Sequence, residues 1–398
     1  MVVLKFGGTS VGKVDAIRRV AGIVASERRR RVVVVSALAG VTDALLDLAA
    51  AGPTIPGNPP PRALDALLRR HLAAAEVIRD RAMRAALDHE LYAIAGRVAA
   101  TLESAPGALS PRSRDDVVAA GELWSSRLLA AVLRDRGVPA SWVDARAVMR
   151  TNGRHENAVP DLDATREAVA GTVKPALDRG QVVVLGGFIG SDSDGVTTTL
   201  GRGGSDWSAS VFGACLDADE IQIWTDVDGV LTADPRFVPH ARVVPHLSYG
   251  EAHDLASFGA KVLHPGTIAP AVERGIPVVV RNSHRPGAAG TMVSAARPAA
   301  RAHIVAGLAY RPGAIAAAGA EIDGLPHGVA TVTVVGEGLV ANPHLATDAS
   351  RALLDIRTHL VARPDGTRTL SFVVDGNQAK LAMVRLHDHF FQSSSVEA

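Results

Sequence analysis

The residues best equipped for chemistry stand together in Val2-Val3-Leu4-Lys5-Phe6-Gly7-Gly8-Thr9-Ser10-Val11-Gly12. A short apolar strand delivers a lysine, then breaks at two glycines and small hydroxyl residues. Glycines let the backbone approach an anion closely, and the amides and hydroxyls of Gly7, Gly8, Thr9 and Ser10 can donate to phosphate oxygens. Lys5, at the carboxyl end of the strand, sets a cation beside them. This is equipment for phosphoryl transfer. A Walker A loop is the competing reading, because residues 7–13 spell G-x-x-x-x-G-K. Val14, however, stands where that loop needs a hydroxyl for magnesium, and Lys5 lies on the wrong side of the glycines. A merely structural strand-turn-helix stays open from these residues alone.

A second constellation runs over residues 186–210: Gly-Gly-Phe-Ile-Gly, an acidic turn, Thr197-Thr198-Thr199-Leu200, then Gly201-Arg202-Gly203-Gly204-Ser205-Asp206. The threonines supply hydroxyl donors. The glycines leave the amides near Ser205 bare, where a helix starting at about Asp206 presents its anion-binding end. Arg202, held among glycines, offers a planar fork suited to a carboxylate. A polar glycine-rich hairpin is the plain alternative. Further on, Ile223-Trp224-Thr225-Asp226-Val227-Asp228-Gly229 reads as a buried strand ending at a nucleotide rim. Asp226 and Asp228 are either a magnesium site or turn residues bonding their own backbone. The turn role is favoured for Asp228, and Asp226 stays open. Lys261 is a lone cation in an apolar stretch, a position from which lysine ordinarily snorkels to solvent. Beside a phosphate site it would neutralise nucleotide charge. His264, next to Pro265, reads as a structural histidine.

These residues need a scaffold. A chain of 398 residues suits two or three domains, and 47% apolar content allows a large core. The net charge of +1 gives no electrostatic footprint for nucleic acid or a membrane surface. The run Arg28-Arg29-Arg30-Arg31 reads as solvated cations facing a helix dipole. Cys215 is the only cysteine, which excludes an intrachain disulfide and a multi-thiolate zinc site. No targeting segment or membrane span is read, and a reducing cytoplasm fits.

Strands are predicted over 2–6, 32–35, 140–143, 182–185, 221–225 and 277–280, and helices over 13–27, 43–50, 62–102 and 113–136. Residues 52–61 form a proline-rich loop. Strands alternating with helices argue for an α/β fold, a mostly parallel sheet with helices on both faces. Ligands in such sheets bind outside the carboxyl ends of the strands, where these motifs fall. Composition breaks at about 294–300. Beyond it, strands over 304–309, 329–335 and 369–374 and helices over 348–355 and 378–390 make a small α+β module. Its strand over 369–374 is apolar enough to need a covered edge.

Together, residues 5–11, 35–42, Gly121-Glu122-Leu123, 197–206, 224–236, 259–265 and Val280-Arg281-Asn282-Ser283 resemble the aspartate kinases, enzymes of the amino-acid-kinase fold. The resemblance covers residues 1–293 in the family's order, and the module beyond residue 293 resembles an ACT regulatory region. It implies a catalytic domain over 1–298, with an amino-acid part to about 205 and a nucleotide part over 206–298, and an ACT-like domain over 299–398. It implies ATP- and magnesium-dependent phosphorylation of L-aspartate to L-aspartyl-4-phosphate. Lys5 would neutralise the transferring phosphoryl group and Asp206 would hold that lysine. Arg202 would clamp the α-carboxylate and Glu122 meet the ammonium group, with Ser36, Thr42 and Ser205 lining the pocket. Gly7, Gly8, Thr9, Ser10, Thr225, Asp226, Leu231, Arg236 and Lys261 would hold the nucleotide. No metal ligand is singled out. Another amino-acid or carbamate kinase of the same fold is the near rival, and Glu122 with Arg202, one for each end of a zwitterion, favours an amino acid. A catalytically silent regulatory subunit is the rival from another class.

Two departures stand out. Leu231 replaces the family's usual aromatic residue. The tail runs from 304–311 after a short Ala/Gly stretch into Val329-Ala330-Thr331-Val332-Thr333-Val334-Val335, which resembles the start of a second ACT unit, so most of the first is missing. Reduced or lost feedback inhibition by lysine or threonine is expected, with a homodimer formed through the remaining unit.

Overall fold

Runs of β-branched residues without polar alternation suit strands buried on both faces of a parallel sheet. Val32, Val33, Val34 and Val35 are all fully buried, so both faces of their sheet are covered. The computed structural model describes residues 1–51, 62–104, 107–260, 263, 265–295, 305–313, 324–325, 327–342, 344–362 and 366–392. The proline-rich loop expected over 52–61 lies outside them. In chain order the strands are β1 (Val2–Phe6), β2 (Arg31–Val35), β3 (Ala140–Trp142), β4 (Val182–Gly186), β5 (Ile189–Ser191), β6 (Thr197–Thr199), β7 (Glu220–Thr225), β8 (His246–Ser248), β9 (Val278–Asn282), β10 (Thr291–Ser294), β11 (Gly307–Pro312), β12 (Val329–Val335), β13 (Thr358–Ala362) and β14 (Thr369–Asp375).

The chain forms two compact units, Met1–Asp226 with Gly266–Ala288, and Val227–Pro265 with Ala289–Ala398. In the first, strands run parallel in the order β3-β4-β2-β1-β7-β9. From β1 the chain steps to β2 on one side and later returns to β7 on the other. That reversal of direction opens a crevice at the carboxyl end of β1, where open α/β sheets bind ligands. Lys5 sits there, in register with Val34 and Ile223.

The helix Pro111–Asp135 supports this end of the sheet. Ser110 caps it by accepting from the Ser113 amide, and Pro111 takes the first turn, where a missing N–H costs nothing. Its Trp124 is fully buried. The long helix expected over 62–102 is two helices, Arg62–Ala75 and Arg81–Ser104. Asp80 explains the break: its carboxylate accepts from the amides of Ala82 and Met83 and starts the second helix. A hairpin of β5 and β6, absent from the strands predicted, follows β4.

In the second unit β8 and β10 pair in parallel, and an antiparallel sheet runs β11-β12-β14-β13. Its core includes Val332, Val334, Phe372, Met383 and Leu386, the last two from the helix Ala379–Phe391. The strand expected over 369–374 is an interior strand, not an edge: Phe372 pairs with Val332 on one side and Val361 on the other. The neighbour that covers it, β13, had no apolar run to announce it. The stretch 227–265 packs with the tail. Leu308 N donates to Thr232 O at 2.7 Å, Glu337 N to Glu251 Oε1 at 3.0 Å, and Arg368 Nε to Asp254 Oδ2 at 3.0 Å. The stretch 227–265 thus shares a compact unit with the tail.

Candidate active site

Lys5 and Asp206 meet as an ion pair, Nζ to Oδ1 at 2.6 Å, with side chains 11% and 22% exposed. They border a cavity of about 480 Å³ that also holds Ser36, Thr42, Glu122, Arg202 and Ser205. Residues spread over two hundred positions of sequence thus converge on one space. Every residue assigned to the amino-acid pocket lines it.

The convergence has local causes. Gly203 caps the helix Gly204–Cys215 in the left-handed region, at φ 74°, so the helix starts two residues earlier than expected and carries Ser205 and Asp206 in its first turn. Gly121 lets the helix Pro111–Asp135 approach the turn after β2: a Cβ there would stand 2.7 Å from the Ala37 Cβ. Glu122 follows at once, 2% exposed, with Oε1 accepting from the Ala37 amide at 3.0 Å. Its other oxygen, Oε2, is buried without a hydrogen-bond partner. Burial pushes the Glu122 carboxyl up to about 8, against the opposing pull of the Ala37 amide and of Lys5. Arg202 is exposed on the same cavity, and no described carboxylate pairs with it. The cavity therefore offers a free cation and a buried carboxyl group with one oxygen unsatisfied, which an incoming ammonium group would favour as the carboxylate, an arrangement complementary to an amino-acid zwitterion.

The threonines behave differently from expectation. Thr198 Oγ1 lies 2.8 Å from Thr151 Oγ1, and Thr199 donates to Asp115 at 2.6 Å, so these hydroxyls are engaged within the protein. Arg114, Asp115 and Glu156 line the cavity too and were missed by sequence reasoning, whereas Phe188 and Thr199, also in its lining, belong to the constellation over 186–210. Asp115, 2% exposed, also accepts from the Glu156 amide and lies 2.7 Å from His155 Nδ1. It ties the loop after β3 to β6. Arg114 pairs with Glu156 at 2.9 Å. Glu156 and Phe188 both hold positive φ, 67° and 66°. Strain of that kind clusters at ligand sites but is invisible in residue type.

On the phosphate side, Gly8 must be glycine, because a Cβ would lie 2.7 Å from Ala37 O. Gly7 donates its amide to Trp224 O at 3.2 Å, and Thr9 is exposed. Ser10 is fully buried, its hydroxyl 2.9 Å from Ser283 Oγ, so it braces the turn after β9 and shows no surface to a phosphate. Thr225 ends β7 and Asp226 follows it. Thr225 Oγ1 donates to Asp226 Oδ1 at 3.2 Å, and Asp226 is exposed. Leu231 and Arg236 belong to the second unit, Leu231 bridged to Val243 and Arg236 paired with Asp234. Lys261 and His264 lie outside the described residues.

A parallel sheet with a lysine at its switch point and a pocket for both ends of a zwitterion defines a class of small-molecule kinase. The amino acid kinase family model matches residues 1–282. Lysine-sensitive aspartokinase 3 of Escherichia coli strain K12 is 44% identical over 293 residues, 74% of this chain and 64% of that protein. A bifunctional aspartokinase/homoserine dehydrogenase of Daucus carota is 34% identical over 397 residues, 98% of this chain and 42% of that protein. The chain thus spans less than two thirds of the length of these two relatives. The crystal structure of E. coli aspartokinase III in complex with aspartate and ADP superposes with a TM-score of 0.82 at 33% identity, covering 98% of this chain and 100% of that one. The chain belongs to the amino acid kinase family, in its aspartokinase branch.

Proposed function

We propose that the protein transfers the γ-phosphoryl group of ATP to the β-carboxylate of L-aspartate, forming L-aspartyl-4-phosphate. The observation that carries this reading is the pairing, in one cavity, of unpartnered Arg202 with the orphaned oxygen of Glu122, next to the Lys5–Asp206 ion pair. Arg202 takes the α-carboxylate and Glu122 the ammonium group, which leaves the β-carboxylate for the Lys5 end. Ser36, Thr42 and Ser205 line the space between. No general base is required, because a free β-carboxylate is already ionised at neutral pH. Lys5 moderates charge as it shifts toward the leaving phosphate, and Asp206 keeps the ammonium group in place. Catalysis then rests on in-line positioning and charge neutralisation.

The nucleotide is assigned to Gly7, Gly8 and Thr9 with Thr225 and Asp226, and Leu231, Arg236 and Lys261 keep the role that the resemblance implies. The carboxylates of Asp206 and Asp226 are oxygen donors of the kind magnesium takes. Magnesium, when bound, supplies charge neutralisation between the phosphates. E. coli aspartokinase III, crystallised with aspartate and ADP, supports the choice of substrate pair.

The tail from β12 onward, a strand, two helices, two strands and a helix, is assigned to a single ACT-like unit, with β11 completing its sheet. Loss of feedback control and assembly as a homodimer through that unit belong to this proposal, as does a cytoplasmic location. No helix of the described residues is long and apolar enough to cross a membrane. A coupled ADP-release assay tests the activity. Turnover with L-aspartate at least tenfold above L-glutamate supports it, and equal or absent turnover refutes it.

A further inference from the structure

Within the second unit, three potential metal ligands face one another: His240, His387 and Asp388. Their ligand atoms all lie within 4.8 Å of each other. His240 Nε2 is 2.9 Å from Asp388 Oδ1, and the two imidazole rings meet edge-on with centroids 4.9 Å apart. His387 is fully buried, under the ring of Phe391. Its Nε2 lies 2.9 Å from Thr232 Oγ1, while its Nδ1 is buried with no hydrogen-bond partner, 3.9 Å from Asp388 Oδ1.

A buried imidazole with one nitrogen anchored and the other idle is costly unless something takes the idle lone pair. Thr232 Oγ1, which also accepts from the Arg242 amide at 3.0 Å, can receive the Nε2 proton, and in that tautomer Nδ1 carries the lone pair, 3.9 Å from Asp388 Oδ1. A hydrogen bond at the far nitrogen is also how metal-binding histidines are held in the needed tautomer. The half-exposed side chains of His240 and Asp388 leave room for water to complete a coordination sphere. Two imidazoles and a carboxylate suit a borderline cation of the zinc class, not magnesium. Tetrahedral ligands at about 2.0–2.2 Å from a metal stand roughly 3.3–3.5 Å apart, so His240 Nε2 and Asp388 Oδ1 would part slightly from 2.9 Å while His387 Nδ1 closes in from 3.9 Å.

We propose that His240, His387 and Asp388 bind a divalent transition-metal ion of the zinc class, clamping the stretch 227–265 to the helix Ala379–Phe391. Arg242, the cation nearest in sequence, gives its guanidinium to Phe391 O and so is held by the helix end. The site is separate from the substrate cavity, and its test does not depend on the proposed activity. The tag-free, chelator-treated full chain is titrated with Zn²⁺ against a chromophoric competitor, and with Co²⁺ while visible absorption is recorded. His240→Gln and Asp388→Asn are exposed replacements, so the fold is expected to survive both. The expected result is one equivalent of metal in the wild type, with a cobalt d–d band, and affinity lower by roughly tenfold or more in each variant. Added Zn²⁺ raises the melting temperature of the wild type more than that of either variant, while the metal-free melting temperatures agree. No stoichiometric binding by the wild type overturns the proposal. So does binding that both variants retain unchanged, which would place the metal among the other histidines of the 14 in the chain.

Discussion

At the scale of single residues, the proposed function divides the work of the cavity among three side chains, and under it each predicts a different signature. Lys5 acts on charge that moves in the transition state, so Lys5→Ala should cost on the order of a hundredfold or more in kcat with folding intact. Half of wild-type turnover in that variant would remove Lys5 from the chemistry. Arg202 acts through geometry. Arg202→Lys keeps the charge but loses the two-pronged donor set, so KM for aspartate should rise far more than KM for ATP. Equal damage to both would reassign Arg202 to the phosphates. Glu122 acts through an ionisation that the fold itself opposes. Its carboxyl is raised to about 8 by burial, whereas an unfolded glutamate titrates near its ordinary value of 4.5. The folded chain therefore holds a proton that the unfolded chain has released, and stability falls as pH rises from about 4.5 to 8. Glu122→Gln has nothing to ionise. In urea denaturation it should lose less stability than the wild type between pH 5 and pH 9, by on the order of 2–4 kcal/mol, while binding aspartate more weakly. Parallel pH profiles would show that Glu122 is hydrated and not buried.

At the scale of elements, the helix Gly204–Cys215 decides whether Asp206 and Ser205 reach the cavity. Its cap, Gly203, combines φ 74° with close contact, since a Cβ would stand 2.8 Å from Thr267 Cγ2. Gly40 caps the helix Val41–Ala50 at the same φ, but a Cβ there meets nothing within 4 Å. The two glycines separate strain from displacement. Gly40→Ala should cost about 1–2 kcal/mol of stability, from left-handed strain alone, with kinetics nearly unchanged. Gly203→Ala should cost at least as much and also lower kcat, because relieving the clash shifts the helix start and the Lys5–Asp206 pair. Steady-state kinetics on both variants would check this, and an undiminished kcat in Gly203→Ala would show that the helix start tolerates movement. Legibility at this scale was uneven. The valine runs of β1, β2 and β4 and the apolar alternation of β7 announced themselves by residue type. The break at Asp80 and the strand β13 did not, because one depends on a single capping carboxylate and the other on a neighbour to pair with.

At the scale of the whole molecule, the tail offers one four-stranded sheet with β13 at an edge. Among the described residues β13 pairs only with β14, and it is half-buried apart from Val361, 46% exposed. An edge of this kind invites pairing with a second chain. The proposed homodimer should show twice the monomer mass in light scattering, and Val361→Lys should shift the equilibrium toward monomer. A wild-type monomer at micromolar concentration would refute it. Feedback is a separate matter, because control requires an effector to bind two states with different affinity. Kinetic assays with lysine, threonine and both together should show little inhibition, and strong cooperative inhibition by either would restore the missing control.

Residue type and order alone determined the parallel α/β core and the lysine at the end of its first strand, and the resemblance to the aspartate kinases, not a local pattern, pointed to Ser36, Thr42, Glu122 and Ser205 beside Arg202. The core, Lys5 and Arg202 are local matters: a glycine after a strand, an arginine among glycines, a run of valines each carry their meaning in a few neighbouring positions. Only the tertiary structure decided that Ser10 faces Ser283, that Thr199 serves Asp115, and that Glu122 keeps one oxygen bare. It alone placed β14 inside its sheet and brought His240 to His387. Burial and pairing are sums over groups far apart in sequence, and a side chain's remaining capacity to bind is known only once those sums are complete.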